Sequence, residues 1–254
     1  MIDAHTHIEW KSYDKDRDEV IKKCKKAGLK AIVTSCARNA DLEKTFQIVD
    51  KYKNYVFACA GLHPEFIKEL KEKDVDYFLE KVKENKDKII GIGEIGLDYN
   101  WIKEDSWQKK QRELFIQLIG FAKELNKPLV IHSRDAHKDV IKILENEDCK
   151  QVLLHMFGGK NFVDSVNDNG WYVSFNTMVL KSKSYRAVLK KMPLERIMLE
   201  TDAPWLHPDG KDKRNDSTTI RIIAEKIAEL RKTDFDTIWN QCGKNAIEFF
   251  NLNI

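Results

Sequence analysis

Short apolar, β-branched runs recur along the chain, separated by longer stretches whose apolar residues fall at helical spacing. The runs are MIDAHTHI (1–8), KAIVTSC (30–36), YVFACAG (55–61), KIIGIGEIG (88–96), PLVIHS (128–133), QVLLHMF (151–157), GWYVSF (170–175) and RIMLETD (196–202). Between them, 104–126 places Trp107, Leu114, Leu118, Phe121 and Leu125 along one helical face, and 135–147 carries the same period over a shorter span. Strands alternating with helices predict parallel pairing through right-handed crossovers, and eight such units predict closure into an α/β barrel. An open doubly wound sheet is the alternative, but no G-x-G-x-x-G turn follows the first strand. The stretch 217–251 reads as two further helices, the first capped by Ser217 or Thr218. No linker rich in Pro, Gly or Ser breaks the pattern. The expectation is one (β/α)8 barrel domain over residues 1–254 with extra C-terminal helices.

Composition fits a folded, soluble protein: of 254 residues, 42% are apolar and 33% charged. Lys/Glu-rich stretches such as KELKEKDVDYFLEKVKENKDK read as solvated helix surface. With 44 basic against 41 acidic residues and a net charge of +3, bulk electrostatics do not announce a nucleic-acid binder. Any site for a polyanion must be local. The five cysteines (Cys24, Cys36, Cys59, Cys149, Cys242) are scattered without a C-x-x-C pair, which fits a reducing compartment. Met1 leads straight into the first strand, leaving no room for a secretory leader, and no 18-residue apolar run follows, so a cytoplasmic location is expected.

The chemistry enters with the first strand. If Ile2 to Ile8 alternates strictly, Asp3, His5 and His7 point to one side and Ala4, Thr6 and Ile8 to the other. Barrel chemistry sits at the C-terminal strand ends, and unusual polar residues cluster there: His5 and His7 on strand 1, His63 after strand 3, Glu94 at the end of strand 4, His132 on strand 5, His155 on strand 6 and Asp202 on strand 8. Each has a bland reading alone. His155 could be a hydrogen-bonded core histidine, Glu94 could cap a loop amide, and Asp202 could start a turn. Together they would cost several kcal/mol of desolvation per ion unless paired, and a divalent cation is the fitting partner. Four imidazoles and two carboxylates suit two ions sharing a carboxylate: His5, His7 and Asp202 on one, His132 and His155 on the other, with Glu94 bridging. The donor set admits Zn, Mg, Mn or Co. A water bridging the ions, its pKa lowered toward ~7, would be the nucleophile, and Asp202 would take its proton.

The motifs DAHTH (3–7), GLHP (61–64), GEIGLDY (93–99), HSRDA (132–136), HMFGG (155–159) and ETDAPWLHP (200–208) resemble those of the TatD-type deoxyribonucleases, metal-dependent hydrolases among the amidohydrolase-like barrels. The resemblance spans nearly the whole chain. It implies the barrel fold, a site of two or three metal ions and phosphodiester hydrolysis of DNA, typically exonucleolytic. It also implies ligand roles for His5, His7, Glu94, His132, His155 and Asp202, and substrate phosphate contacts for His63 and Arg134. Two departures stand out: RNDST (214–218) where the family usually reads Arg-Asn-Glu-Pro, and Gly158 where a small polar residue is usual.

On a DNA substrate with single-stranded or frayed ends, His63 would sit at the rim and could protonate the leaving oxygen. Trp205 and His207 could stack on bases, and Tyr99, Asn100 and Trp101 could form another wall. The basic loop GKDKRND (210–216) reads equally as a backbone contact or as solvated surface. Two rival readings share the barrel. One is a small-molecule hydrolase of cyclic amides, lactones or phosphotriesters, which commonly bridges its ions with a carboxylated Lys where this chain has Glu94. The other is a scaffold that metal merely staples.

Overall fold

The computed structural model describes all 254 residues. Eight strands lie in sequence order in one sheet, and all seven neighbouring ladders are parallel. They are β1 (Ile2–Thr6), β2 (Ala31–Cys36), β3 (Val56–Ala60), β4 (Ile89–Asp98), β5 (Leu129–Arg134), β6 (Val152–Leu154), β7 (Tyr172–Phe175) and β8 (Ile197–Leu199). The crossovers carry α1 (Arg17–Lys26), α2 (Leu42–Lys51), α3 (Glu72–Glu84), α4 (Asp105–Glu124), α5 (His137–Asn146), α6 (Val163–Asp168) and α7 (Lys183–Lys191). The two extra helices are α8 (Ile220–Arg231) and α9 (Phe235–Phe250). The sheet curls into a nearly closed barrel, as the alternation predicts.

The remaining seam, between β8 and β1, is joined beyond the strand ends. Asp202 N–H donates to the His5 carbonyl (3.0 Å) and His7 N–H to the Ala203 carbonyl (2.7 Å). The first and last predicted ligands, His5 and Asp202, are thus tied together through their own backbones.

Side-chain alternation explains the interior. Ala31, Val33, Val130, Leu153 and Met198 share a buried apolar cluster with Phe249 and Phe250 of α9, which close the lower end of the barrel. Two residues further on stand Ser35 and His132, still within β2 and β5, and His155 and Glu200, just past the ends of β6 and β8. The apolar filling therefore turns polar in one layer at the C-terminal ends, where barrel chemistry belongs.

Several sequence expectations shift. β1 does not alternate strictly: its pairing with β2 slips between Asp3 and Thr6, so Asp3 does not join His5 and His7. Its buried carboxylate accepts from Thr201 N–H (3.0 Å) and Thr201 Oγ–H (2.6 Å) and reinforces the seam. Glu94 is not at the end of β4 but inside it, because the strand continues to Asp98. Conversely β6 and β8 are only three residues long, which leaves His155 and Asp202 in the following turns. Neither Ser217 nor Thr218 caps α8; both lie in a 3-10 turn before it, and Asp216 caps that turn by accepting from Thr218 N–H (2.9 Å). In α4, Leu118 and Phe121 are buried as expected, while Trp107 stays partly exposed and Gln111 and Phe115 take core positions instead.

The last helix is fastened by one amide. Asn245 of α9 donates through Nδ2 to the carbonyls of Leu194 (2.8 Å) and Ile197 (2.7 Å) at the start of β8. Asn245→Ala leaves both carbonyls without a donor in a dry interior, a loss of about 2 kcal/mol. That should lower the thermal midpoint by about 4–8 °C in a calorimetric scan; an unchanged midpoint would show that the tether contributes nothing.

Candidate metal centre

Strand order alone brings the polar layer together. β4, β5 and β6 set Glu94, His132 and His155 on one side of the mouth; β1 and the turn after β8 set His5, His7 and Asp202 on the other. Two glycines allow Glu94 to sit so deep. A Cβ on Gly61 would lie 2.4 Å from the Glu94 carbonyl oxygen, and one on Gly96, whose φ is +141°, would lie 2.0 Å from the His132 carbonyl oxygen. Asp202 itself adopts φ +54°, a left-handed conformation that Asp tolerates better than most residues.

The two oxygens of Glu94 face two separate groups. Oε2 lies 3.3 Å from His5 Nε2 and 3.6 Å from His7 Nε2. Asp202 Oδ1 completes that group at 3.5 Å from His7 Nε2 and 3.8 Å from His5 Nε2, and the two imidazole nitrogens are 3.2 Å apart. Donors ~2.1 Å from a common tetrahedral ion stand about 3.4 Å from one another, so these spacings fit the edges of a coordination shell. Oε1 lies 2.7 Å from both His132 Nδ1 and His155 Nε2, and 3.3 Å from His63 Nε2. This second group is drawn in to hydrogen-bonding distance around the carboxylate. It too could hold a cation, with His132 Nδ1 and His155 Nε2 3.4 Å apart.

Each imidazole turns its other nitrogen outward to an orienting partner, as metal-binding histidines do. His5 Nδ1 meets Ser35 Oγ at 3.1 Å, and His7 Nδ1 faces Glu9 Oε1 at 3.4 Å. His132 Nε2 bonds Asp98 Oδ2 at 2.9 Å, and His155 Nδ1 faces Glu200 Oε1 at 3.5 Å. Glu200 is itself held by Ser174 Oγ–H (2.5 Å) and Asn176 Nδ2–H (2.9 Å). Sequence reasoning missed Glu9, Ser35, Asp98 and Glu200. Asp98 and Glu200 lie inside motifs it quoted, GEIGLDY and ETDAPWLHP, and a polar residue adjacent to a buried ligand pattern was the available signal.

Electrostatics follow from this crowding. Burial alone would raise the Glu94 carboxyl, but the imidazoles gathered around it, His155 foremost, and the His132 hydrogen bond hold it well below the usual range. Burial likewise opposes ionisation of Asp202, yet the His7 hydrogen bond and the histidine charges keep it low. Burial pulls His7 down, but its bonds to Asp202 and Glu9 outweigh that and raise it to about 10. His155 is raised well above its ordinary value, against burial, by Glu94 and Glu200. His5 and His63 go the other way, lowered chiefly by burial.

The remaining predicted contacts are placed unevenly. His63 is buried rather than at the rim, and its Nδ1 accepts from Glu65 N–H (3.1 Å). Trp205, 43% exposed, stands edge-on to His7 with centroids 4.9 Å apart. Arg134 is exposed at the end of β5. His207 joins none of the groups; its Nδ1 accepts from Asp209 N–H (3.1 Å) and shapes its own loop. In the basic loop, Lys213 pairs with Asp209 (2.7 Å) and Arg214 with Asp16 (2.5 Å), so those charges are largely neutralised. At the first departure from the family pattern, Asp216 also pairs with Lys23 (2.6 Å). At the second, a Cβ on Gly158 would lie 2.6 Å from the Tyr185 ring, so the ring rests where a side chain would be.

Among known proteins, residues 2–251 match the sequence profile of the family described as TatD related DNase. The chain is 32% identical to the human protein named Deoxyribonuclease TATDN3, over 98% of this chain and 94% of that one. It is also 32% identical to the Bacillus subtilis (strain 168) protein named Uncharacterized metal-dependent hydrolase YabD, over the full length of both. Its fold is similar to the crystal structure of YJJV, a TatD homolog from Escherichia coli K12, with a TM-score of 0.90, 22% identity and coverage of 99% of this chain and 98% of that one.

Two measurements test the centre. Because His7 and His155 carry protons at neutral pH, adding Zn2+ to metal-free protein at pH 7 should release more than one proton per molecule, read with an indicator dye in weak buffer. Affinity should then rise with pH; uptake without proton release would contradict the protonated cage. Asp98→Asn, which removes the acceptor for His132 Nε2, should weaken ion binding by about 10–100-fold in a titration.

Proposed function

This chain belongs to the TatD related DNase family, and from that premise we propose that it is a divalent-metal-dependent deoxyribonuclease, a hydrolase that removes nucleotides from single-stranded or frayed DNA ends. The observation that carries the reading is the division of Glu94, whose Oε2 faces His5, His7 and Asp202 while Oε1 faces His132, His155 and His63. A carboxylate placed so can be shared by two cations: one held with His5, His7 and Asp202, the other with His132 and His155. Bound there, divalent ions supply Lewis acidity toward the phosphodiester and acidify water to near-neutral pKa.

The chain's own groups do the rest. Asp202 is the better base of the two central carboxylates, because its side chain is 15% exposed against 4% for Glu94, and it remains ionised. It can receive a proton from water entering the mouth. His63 is neutral, and since Nδ1 accepts the Glu65 amide, its proton sits on Nε2 and points into the site. That N–H can bond a phosphate or leaving oxygen; it supports hydrogen bonding rather than donation from an imidazolium. Arg134 and Trp205 stand at the rim as contacts for phosphate and base. His207, engaged in its own turn, has a weaker claim. The cytoplasmic assignment is supported by five free cysteines, all buried. No helix is long and apolar enough to cross a membrane.

With Mg, Mn, Co or Zn the protein should shorten end-labelled single-stranded DNA, and a chelator should stop it. Asp202→Asn should lower kcat by about 10²–10⁴-fold with an unchanged circular-dichroism spectrum. Absence of nuclease activity with all four metals, alongside efficient lactone, amide or phosphotriester hydrolysis, would replace this reading with the small-molecule one.

A further inference from the structure

Trp101 lies in the turn three residues past the end of β4 and is 58% exposed, yet its backbone is immobilised. The Asp98 carboxylate accepts from Asn100 N–H (2.9 Å) and Trp101 N–H (2.8 Å) through Oδ1, while Ile102 N–H bonds the Asp98 carbonyl (3.3 Å) and the Ile102 side chain is buried. Tyr99 N–H reaches the Arg134 carbonyl (2.9 Å), which fixes the turn to β5. A large aromatic side chain left in water on a pinned turn is not serving the core, where such rings contribute most.

Its neighbour is Arg134, two residues beyond His132 on the same face of β5, with Cζ 5.7 Å from the indole centroid. That guanidinium has no carboxylate within ion-pairing distance, unlike Lys213 and Arg214 of the basic loop. A largely exposed indole, with a guanidinium over it that has no carboxylate partner, matches the two halves of a nucleotide: a ring to stack a base and a cation to bind its phosphate. The other oxygen of Asp98, Oδ2, orients His132. One carboxylate therefore locates both the ring and a nitrogen at the centre.

We propose that Trp101 is the platform on which the nucleobase next to the cleaved phosphodiester stacks, that Arg134 takes its phosphate, and that Asp98 sets the distance between this platform and His132. The proposal rests on the nuclease reading above and names its substrate more closely. A base can reach the ring only when it is out of a duplex, so single-stranded or frayed ends are preferred.

The test measures anisotropy of a short labelled DNA strand on Asp202→Asn protein with the activating ion present, against strands in which a tetrahydrofuran abasic residue replaces one base at a time. One abasic position should weaken binding by about 5–150-fold, the range for one base–aromatic stack. Trp101→Ala should produce the same loss on the intact strand and no further loss on that abasic strand, while Trp101→Phe keeps most of the affinity. Equal losses by Trp101→Ala on intact and abasic strands, or none, would overturn the platform while wild-type cleavage of the intact strand leaves the nuclease reading standing. No binding and no cleavage of any strand would overturn both.

Discussion

Glu94 is a carboxylate with almost no exposed surface, and removing such a group from water costs several kcal/mol unless opposite charge surrounds it. Five imidazole nitrogens line it here, as charges or as hydrogen-bond donors, from four different strands or the turns that follow them. Much of the architecture serves that arrangement. Glycines on β4 and after β3 leave room for the backbone to approach, and β8 is sewn to β1 through the very residues that face the carboxylate. Protons or cations can balance the charge, and the same nitrogens compete for either.

The polar layer is rigid because it continues the apolar one. His132, His155 and Glu200 each follow, two positions on, a packed residue of the barrel interior, Val130, Leu153 and Met198, so these three side chains stand on the apolar filling. Outside them a second ring of Ser35, Glu9, Asp98 and Glu200 sets the orientation of each imidazole. Side chains held on both sides keep a geometry that loops alone could not maintain.

The contacts proposed for substrate are separate from this centre and lie on the rim. A net charge of +3 and internal pairing of the basic loop leave little long-range field for a polyanion. What the mouth offers instead is local: exposed indoles at Trp101 and Trp205 and an unpaired Arg134. Such a surface favours stacking over sequence readout.

Strand number, their parallel order, the C-terminal helices and the cluster of histidines and acids were legible in the sequence, because hydrophobic period and barrel topology are local patterns that repeat. The motifs were legible as a family resemblance for the same reason. Tertiary structure alone decided the rest. The slip in β1 that turns Asp3 toward Thr201, the depth of Glu94 within β4 and the buried seat of His63 depend on neighbouring strands, whose approach no single segment encodes. So do the partners Glu9 and Ser35: a residue becomes an orienting group only when another strand presents an imidazole to it, at a distance set by packing rather than by spacing along the chain.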